Sequence, residues 1–244
     1  MPLVLDDVRA IVFDLGNTLI EFGQRQMELQ NQALARTFSQ MFGTCDLERL
    51  TAVRNEQLVA PDKNGFKEND SRALAVEKVR KLYSVTPSEE QINILLEARH
   101  KAFVDVVELP DNVLPLLDHL AQYYRIALIS NYPCGRCIRD ALVKIGLTDK
   151  FEAIVVSGEV GYVKPHPYPF EVMLKLLKLN ARQCIYVGDN WLADVQGAKR
   201  IGMQAVYTSQ YEPYVKITPL NDDYQPDARI SHINELPQLL IGAR

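Results

Sequence analysis

The 244-residue sequence has few cysteines, no long hydrophobic run and no excess of basic charge. Its four cysteines are too few for a disulfide scaffold at this length. The apolar run near the N-terminus is too short to span a bilayer, and it follows acidic Asp6 and Asp7, where a signal peptide would be basic. A net charge of −4 provides no basic surface for nucleic acid or an anionic membrane. We therefore expect a cytoplasmic protein without a nucleic-acid or membrane partner.

Strand patterns are missing from a long internal stretch. Between residues 24 and 107 the apolar spacing is helical, and it predicts helices over 24–42, 46–59, 69–83 and 88–107. From residue 109 onward, short apolar strands alternate with helices, which is typical of βαβ units and a parallel sheet. These strands are predicted at 125–130, 153–157, 183–187, 203–207 and 228–230. Because a further strand at 9–14 precedes the helical stretch, we predict an α/β domain interrupted by a helical insertion.

Polar residues follow several of these strands where each strand ends. The carboxyl ends of parallel strands meet at one edge of a sheet, where open α/β sheets bind ligands. The residues are Asp14, Ser130, Asn131, Lys164, Asp189 and Asp194. Phosphoryl transfer needs a nucleophile, donors for the phosphate oxygens, a fixed cation and carboxylates for Mg²⁺. This set of residues supplies each of those parts.

The pattern predicts a role for each residue. Asp14 would be the nucleophile and would form an aspartyl-phosphate. The Ser130 hydroxyl and the Asn131 backbone N–H would hold phosphate oxygens, and Lys164 would neutralise the charge that gathers there.

A magnesium site is predicted from the carboxylates. Asp14, Asp189 and Asp194 offer the oxygen ligands that Mg²⁺ prefers. For Asp194 a second interpretation stays open, in which its side chain caps or orients the following helix.

In order and spacing, the motifs resemble those of the haloacid dehalogenase superfamily, over nearly the whole chain. The matching motifs are Asp-x-x-x-Thr, Ser-Asn, Gly-x-x-Lys-Pro and Gly-Asp-x-x-x-x-Asp. The resemblance implies a Rossmann-like core at residues 1–20 and 108–244 and an all-helical cap domain at 21–107. It also implies Mg²⁺, a backbone carbonyl ligand from Gly16, a place for Thr18 in substrate binding, and a small phosphorylated metabolite as substrate.

Gly16 departs from the superfamily's phosphatase pattern, which usually has a second aspartate two residues after the nucleophile. That aspartate serves as general acid and base, a function typically worth about 10²–10⁴-fold in rate. We predict a phosphatase that is slow or uses another acid, with Glu21 as the nearest candidate. The alternatives are a catalytically weak phosphate-binding relative and a metal-independent 2-haloacid dehalogenase. Asp189 and Asp194 favour the metal-dependent phosphatase.

The pair Cys134 and Cys137 has the spacing of a redox motif and precedes a predicted helix. Helix N-termini lower thiol pKa values, so a redox switch is one interpretation. Two small apolar packing residues are the other. No motif in the helical stretch identifies the substrate or an oligomeric state.

Overall fold

The computed structural model describes residues 3–214 and 224–242. Its centre is a six-stranded, fully parallel sheet with the order β3-β2-β1-β4-β5-β6. The strands are β1 Ala10–Phe13, β2 Arg125–Ser130, β3 Ala153–Val156, β4 Cys184–Gly188, β5 Gln204–Thr208 and β6 Ala228–Ile230. The predicted α/β fold, a Rossmann-like parallel sheet with inserted helices, is confirmed.

Strand β1 lies in the middle of the sheet and is buried on both faces. Ile11 and Phe13 belong to the apolar cluster on one face, and Ala10 and Val12 belong to the cluster on the other. This is why the strand reads as a continuous apolar run. Because β1 pairs with β2 on one side and β4 on the other, the loops after these three strands share one edge of the sheet.

Five helices follow β1, and we call them the helical block. They are α1 Gln24–Phe42, α2 Leu47–Leu58, α3 Ala60–Lys63, α4 Ser71–Tyr83 and α5 Glu89–Val106. The block has its own apolar cluster, which includes Phe38, Leu50, Val79 and Leu95. Four of these helices were predicted to within two residues, and α3 was not.

The remaining helices flank the sheet. They are α6 Val113–Leu120, α7 Gly135–Lys144, α8 Ser157–Val160, α9 Pro167–Leu177, α10 Gly197–Arg200 and α11 Leu236–Leu240. After β4, the apolar spacing of the sequence predicts a helix from Trp191 to Ile201. The first half of this prediction is wrong, because residues Trp191–Gln196 form a π-helical turn and only the next four are α-helical. Single π turns inside helices occur frequently at functional sites.

Backbone contacts join the helical block to the loop after α8. The Glu68 N–H donates to the Gly161 carbonyl at 3.0 Å, and the Val163 N–H donates to the Phe66 carbonyl at 2.9 Å. Gly161 has a φ of 82°, a left-handed conformation that favours glycine and lets the chain turn toward Lys164. The helical block is thereby tied to the loop that carries Lys164.

The domain boundaries at residues 20/21 and 107/108 stay predictions. The predicted core ranges 1–20 and 108–244 include residues 1–2, 215–223 and 243–244, which lie outside the described residues. No helix in the described part of the chain is long and apolar enough to cross a membrane.

Candidate active site

Asp14 begins the turn that follows β1. Its N–H still donates to the Val187 carbonyl of β4 at 2.9 Å, so the strand fixes its backbone. Beyond it, Asn17 has a φ of 57°, and its side chain accepts a 2.9 Å hydrogen bond from the Phe22 N–H. Asp14 is 8% exposed and lines a cavity of about 350 Å³ at the carboxyl edge of the sheet.

Lys164 connects two carboxylates at the floor of this cavity. Its Nζ lies 2.7 Å from Asp14 Oδ1 and 2.7 Å from Asp194 Oδ1. The same ammonium lies 2.6 Å from the Tyr186 hydroxyl and 3.1 Å from the Ile129 carbonyl. Lys164 is 3% exposed. Burial alone would favour the neutral amine, but Asp14 and Asp194 outweigh it and raise the pKa of Lys164 above its usual value.

The π-helical turn places Asp194 beside Lys164. Its Oδ2 accepts a 2.9 Å hydrogen bond from the Asn190 N–H, and the Asn190 side chain caps the turn by accepting from the Ala193 N–H. A side chain at position 188 would come within 2.3 Å of Asp194 Oδ2, so the glycine there gives the carboxylate its room. Both interpretations of Asp194 therefore keep support: it orients its own turn, and it points into the site.

Three carboxylates converge at this point. Asp14, Asp189 and Asp194 each present an oxygen, and these oxygens lie within 4.8 Å of one another. Burial raises the pKa of Asp14 to about 6, with Lys164 opposing the shift and Asp194 adding to it. Burial, together with the charges of Asp14 and Asp194, raises the pKa of Asp189 well above its usual range. The single positive charge of Lys164 therefore does not offset the negative charge of the three carboxylates. Their oxygen donors suit a divalent cation such as Mg²⁺.

Ser130 and Asn131 border the same cavity at the end of β2. The Asn131 side chain accepts from the Lys164 N–H at 2.8 Å and donates to the Lys164 carbonyl at 3.0 Å, so it fixes the backbone of the lysine. Ser130 is 5% exposed. Their proposed contacts with phosphate stay predictions.

Thr18 and Glu21 are not among the residues that line the cavity. Thr18 is fully buried, and its hydroxyl has no hydrogen-bond partner in the described part of the chain. Glu21 is exposed. Gly16, by contrast, lines the cavity. Its role as a carbonyl ligand stays a prediction.

Sequence reasoning missed the polar residues that line the cavity from the helical block. Arg54 of α2, Lys78 of α4 and Arg99 of α5 all reach it. Each follows a buried leucine of its own helix by four residues, a spacing that puts a charge in an apolar stripe. A charged residue at an otherwise apolar position of a helix is the feature of the sequence that points to these three cations.

Lys78 yields a prediction about stability. Burial, with the charges of Arg99 and Arg54, lowers the pKa of Lys78 to about 7. Between pH 7 and the ordinary lysine pKa of 10.5, the unfolded chain binds a proton that the folded chain lacks, so wild-type stability rises with pH. Lys78→Met should remove this rise. At neutral pH we expect the free energy of unfolding of Lys78→Met to exceed that of wild type by about 2–4 kcal/mol. This difference should become smaller toward pH 10.

Denaturant unfolding of both proteins across this pH range, in buffers without phosphate, measures the difference. Lys81→Met on the exposed side of α4 is the matched control and should follow wild type. Parallel curves for wild type and Lys78→Met would show that the buried lysine keeps its charge.

The cysteine pair lies at the start of α7, and both thiols are free. The Cys137 N–H donates to Cys134 Sγ at 3.2 Å. Hydrogen bonding from Cys137 lowers the pKa of Cys134 to about 6, while the same interaction and burial raise the pKa of Cys137. A redox role for the pair stays a prediction.

The chain matches a family known from other proteins. Residues 11–208 fit the sequence profile of the haloacid dehalogenase-like hydrolases. A glyceraldehyde 3-phosphate phosphatase of Methanopyrus kandleri is 25% identical over 94% of this chain and 95% of its own. An N-acylneuraminate-9-phosphatase of Mus musculus is 27% identical over 97% of this chain and 95% of its own.

A crystal structure of a 2-haloacid dehalogenase from Pseudomonas syringae superposes with a TM-score of 0.74. It is 24% identical and covers 97% of this chain and 100% of its own, a likeness that concerns the fold. The fold and the family match therefore define a hydrolase with a Rossmann-like parallel sheet. The chain belongs to the haloacid dehalogenase-like hydrolases, which confirms the expected family and the expectation of an enzyme.

Proposed function

We propose that the protein is a Mg²⁺-dependent phosphoric monoester hydrolase that acts on a small phosphorylated metabolite through an aspartyl-phosphate on Asp14. The observation that carries this proposal is the contact of Lys164 Nζ with Asp14 and Asp194, next to Asp189, on the wall of one cavity. Relatives that span nearly the whole chain are named as phosphatases, which also supports it.

The proposed reaction has two steps. An oxygen of Asp14 attacks phosphorus, the bond from phosphorus to the ester oxygen breaks, and the alcohol leaves with a proton taken from solvent. Water then attacks phosphorus, the bond to Asp14 breaks, and inorganic phosphate leaves. Lys164 holds Asp14 in place and offsets negative charge throughout, and Ser130 and the Asn131 N–H hold phosphate oxygens.

Asp14, Asp189 and the Gly16 carbonyl would hold the metal. Asp194 would complete the set, although both of its oxygens already accept hydrogen bonds from Lys164 and Asn190. When bound, Mg²⁺ would supply positive charge to the phosphate oxygens and relieve the repulsion among the carboxylates.

We also infer that the helical block, within residues 21–107, is the cap that covers the substrate. Its residues form a large part of the cavity wall, and its backbone is bonded to the loop of Lys164. The composition supports a cytoplasmic location, with no nucleic-acid or membrane partner.

Phosphate release from a mixed panel of phosphate esters, with Mg²⁺ and with EDTA, tests the proposal. We expect release only with the metal present. Release that persists in EDTA would contradict the metal dependence, and release from no ester would favour a phosphate-binding relative without turnover.

Gly16→Asp should raise the rate by on the order of 10²-fold, because it restores the missing acid–base group. There is room for the side chain, since its Cβ would meet only the Phe22 side chain, at 3.4 Å. Gly16→Asn is the matched control, with the same size and no transferable proton. Steady-state phosphate release by the two variants measures the effect. Equal rates for Gly16→Asp and Gly16→Asn would mean that another group already serves as the general acid and base.

Gly16 is also compatible with a second candidate function, that of a 2-haloacid dehalogenase, because such an enzyme needs no acid at this position. In that reaction Asp14 would attack carbon, displace halide and form a carboxylic ester. Chloride release from 2-chloropropionate without metal measures it. We expect none, since Asp189 and Asp194 add negative charge beside the carboxylate of such a substrate.

A further inference from the structure

The end of the cavity formed by the helical block is rich in cations. Arg54, Lys78 and Arg99 line it from three different helices. Lys78 is buried, and the two arginines are partly buried. Their charges act on one another, since each arginine lowers the pKa of Lys78 and Arg99 lowers that of Arg54. Two guanidinium charges and an amine with a pKa of about 7 therefore line the same end of the cavity. Like charges in a region of low dielectric are unfavourable unless an anion joins them, and such an anion would also favour the charged form of Lys78.

The described residues supply no carboxylate partner to these cations. Within residues 3–214 and 224–242, none of the three takes part in an ion pair within 4.0 Å. Arg54 donates to two neutral amides, Asn31 at 2.7 Å and Gln30. Lys78 likewise donates to the amide oxygen of Gln57. Neutral partners hold the side chains in position and leave their charge unbalanced.

Arg99 differs from the other two cations because, among the residues that the structure describes, it has a buried donor without an acceptor. Its guanidinium lies over the Tyr132 ring, 5.2 Å from the centroid. Its Nη1 atom is buried and has no hydrogen-bond partner among residues 3–214 and 224–242. An enclosed donor without an acceptor is costly, and the cost is removed when a ligand supplies the acceptor.

Two acids of the helical block also line the cavity, and neither cancels this charge. Asp62 is exposed. The Glu68 carboxylate accepts from the Asn69 N–H at 2.7 Å and from the Ser157 hydroxyl, and burial raises its pKa. Glu68 attracts Arg99 without pairing with it. Glu77 likewise attracts Lys78 without pairing with it, and its carboxylate bonds to Gln57 and Lys81.

We propose that Arg54, Lys78 and Arg99 form a second anion site, so that the substrate carries an oxyanion, a carboxylate or a second phosphate, in addition to the phosphate that is cleaved. This deepens the proposed function and rests on it. The scissile phosphate would lie at Asp14, and the remote oxyanion would lie under the helical block in the same cavity. Its apolar lining, which includes Met27, Leu34 and Phe103, suits a carbon skeleton between the two groups.

Three series of short alkyl phosphates test this site. One ends in a hydroxyl, one in a carboxylate and one in a second phosphate, with matched chain lengths. We expect kcat/KM for at least one anionic series to exceed that of the hydroxyl series by on the order of 10- to 100-fold. The better of the two anionic series identifies the kind of oxyanion.

Arg99→Met and Lys78→Met, made separately, should each reduce this preference by about tenfold or more. Two variants are used so that a folding defect in one leaves the other informative, and thermal unfolding checks both. Lys101→Met, an exposed lysine two residues from Arg99 on the same helix, is the matched control and should keep the preference.

Equal kcat/KM for the three series would overturn the proposal, and so would an anionic preference that both variants retain. Hydrolysis without such a preference would leave the proposed function intact. If no ester were hydrolysed, the proposed function would fail, but calorimetry could still measure how tightly the protein binds the same esters. Tighter binding of an anionic ester that is lost in Arg99→Met would support the anion site. Equal binding of all three esters would reject it.

Discussion

Asp14→Asn should lower phosphate release by on the order of 10⁴-fold or more, with the fold intact. The amide has nearly the shape of the carboxylate, and its oxygen can still accept the hydrogen bond from Lys164. It carries no negative charge, however, and is a far weaker nucleophile, so no aspartyl-phosphate forms. Steady-state phosphate release with the best ester measures the loss.

Asp62→Asn is the control for this variant. It removes an exposed carboxylate that lines the same cavity from α3 and is not one of the three converging carboxylates, so the variant should keep its turnover. Thermal unfolding of Asp14→Asn in parallel excludes a folding defect. Wild-type turnover in Asp14→Asn would show that another group attacks phosphorus.

Lys164→Met should have the second-largest effect, on both activity and stability. Turnover should fall by about 10²–10³-fold, because a fixed cation at the reacting group is removed. The free energy of unfolding at neutral pH should fall by roughly 3–5 kcal/mol, because Asp14 and Asp194, which is 1% exposed, lose the charge between them.

Denaturant unfolding and steady-state kinetics on the same preparation separate the two effects. Lys164→Arg keeps the charge and should recover most of the stability, while its larger head group should recover less of the activity. A Lys164→Met protein as stable as wild type would mean that the carboxylates do not depend on this lysine.

The parts of the site that lie at strand ends could be predicted from the sequence. Asp14, Asn131 and Asp189 each directly follow an apolar strand, and the parallel pairing of β1 with β2 and β4 brings them to one edge. Lys164 lies further from its strand, in the loop after α8, and its motif rather than a strand end indicated it. The contacts around them could not be predicted. Tyr186 sits inside the apolar run of β4, and only the three-dimensional structure reveals that its hydroxyl meets Lys164.

At two further places the structure differs from what the sequence predicts, and each difference has a local physical cause. The helix predicted from Trp191 starts as a π turn because the Asp194 and Val195 N–H groups both donate to the Asn190 carbonyl, a pattern that apolar spacing does not report. Helical periodicity is recognised from apolar positions, so it does not reveal the cations of the helical block. Arg99, between Leu95 and Phe103 at spacings of four, was an exception within the stripe.

Trapping the phosphoenzyme during turnover shows whether Asp14 is the nucleophile. Without an acid–base group at Gly16, hydrolysis of the aspartyl-phosphate should be slow, so it should accumulate during turnover. Rapid acid quenching followed by mass spectrometry of the intact protein and of its peptides measures it. We expect one added phosphoryl group on the peptide that contains Asp14, and none on the same peptide of Asp14→Asn. A phosphoryl group on a different residue, or rapid turnover with no phosphorylated protein, would contradict it.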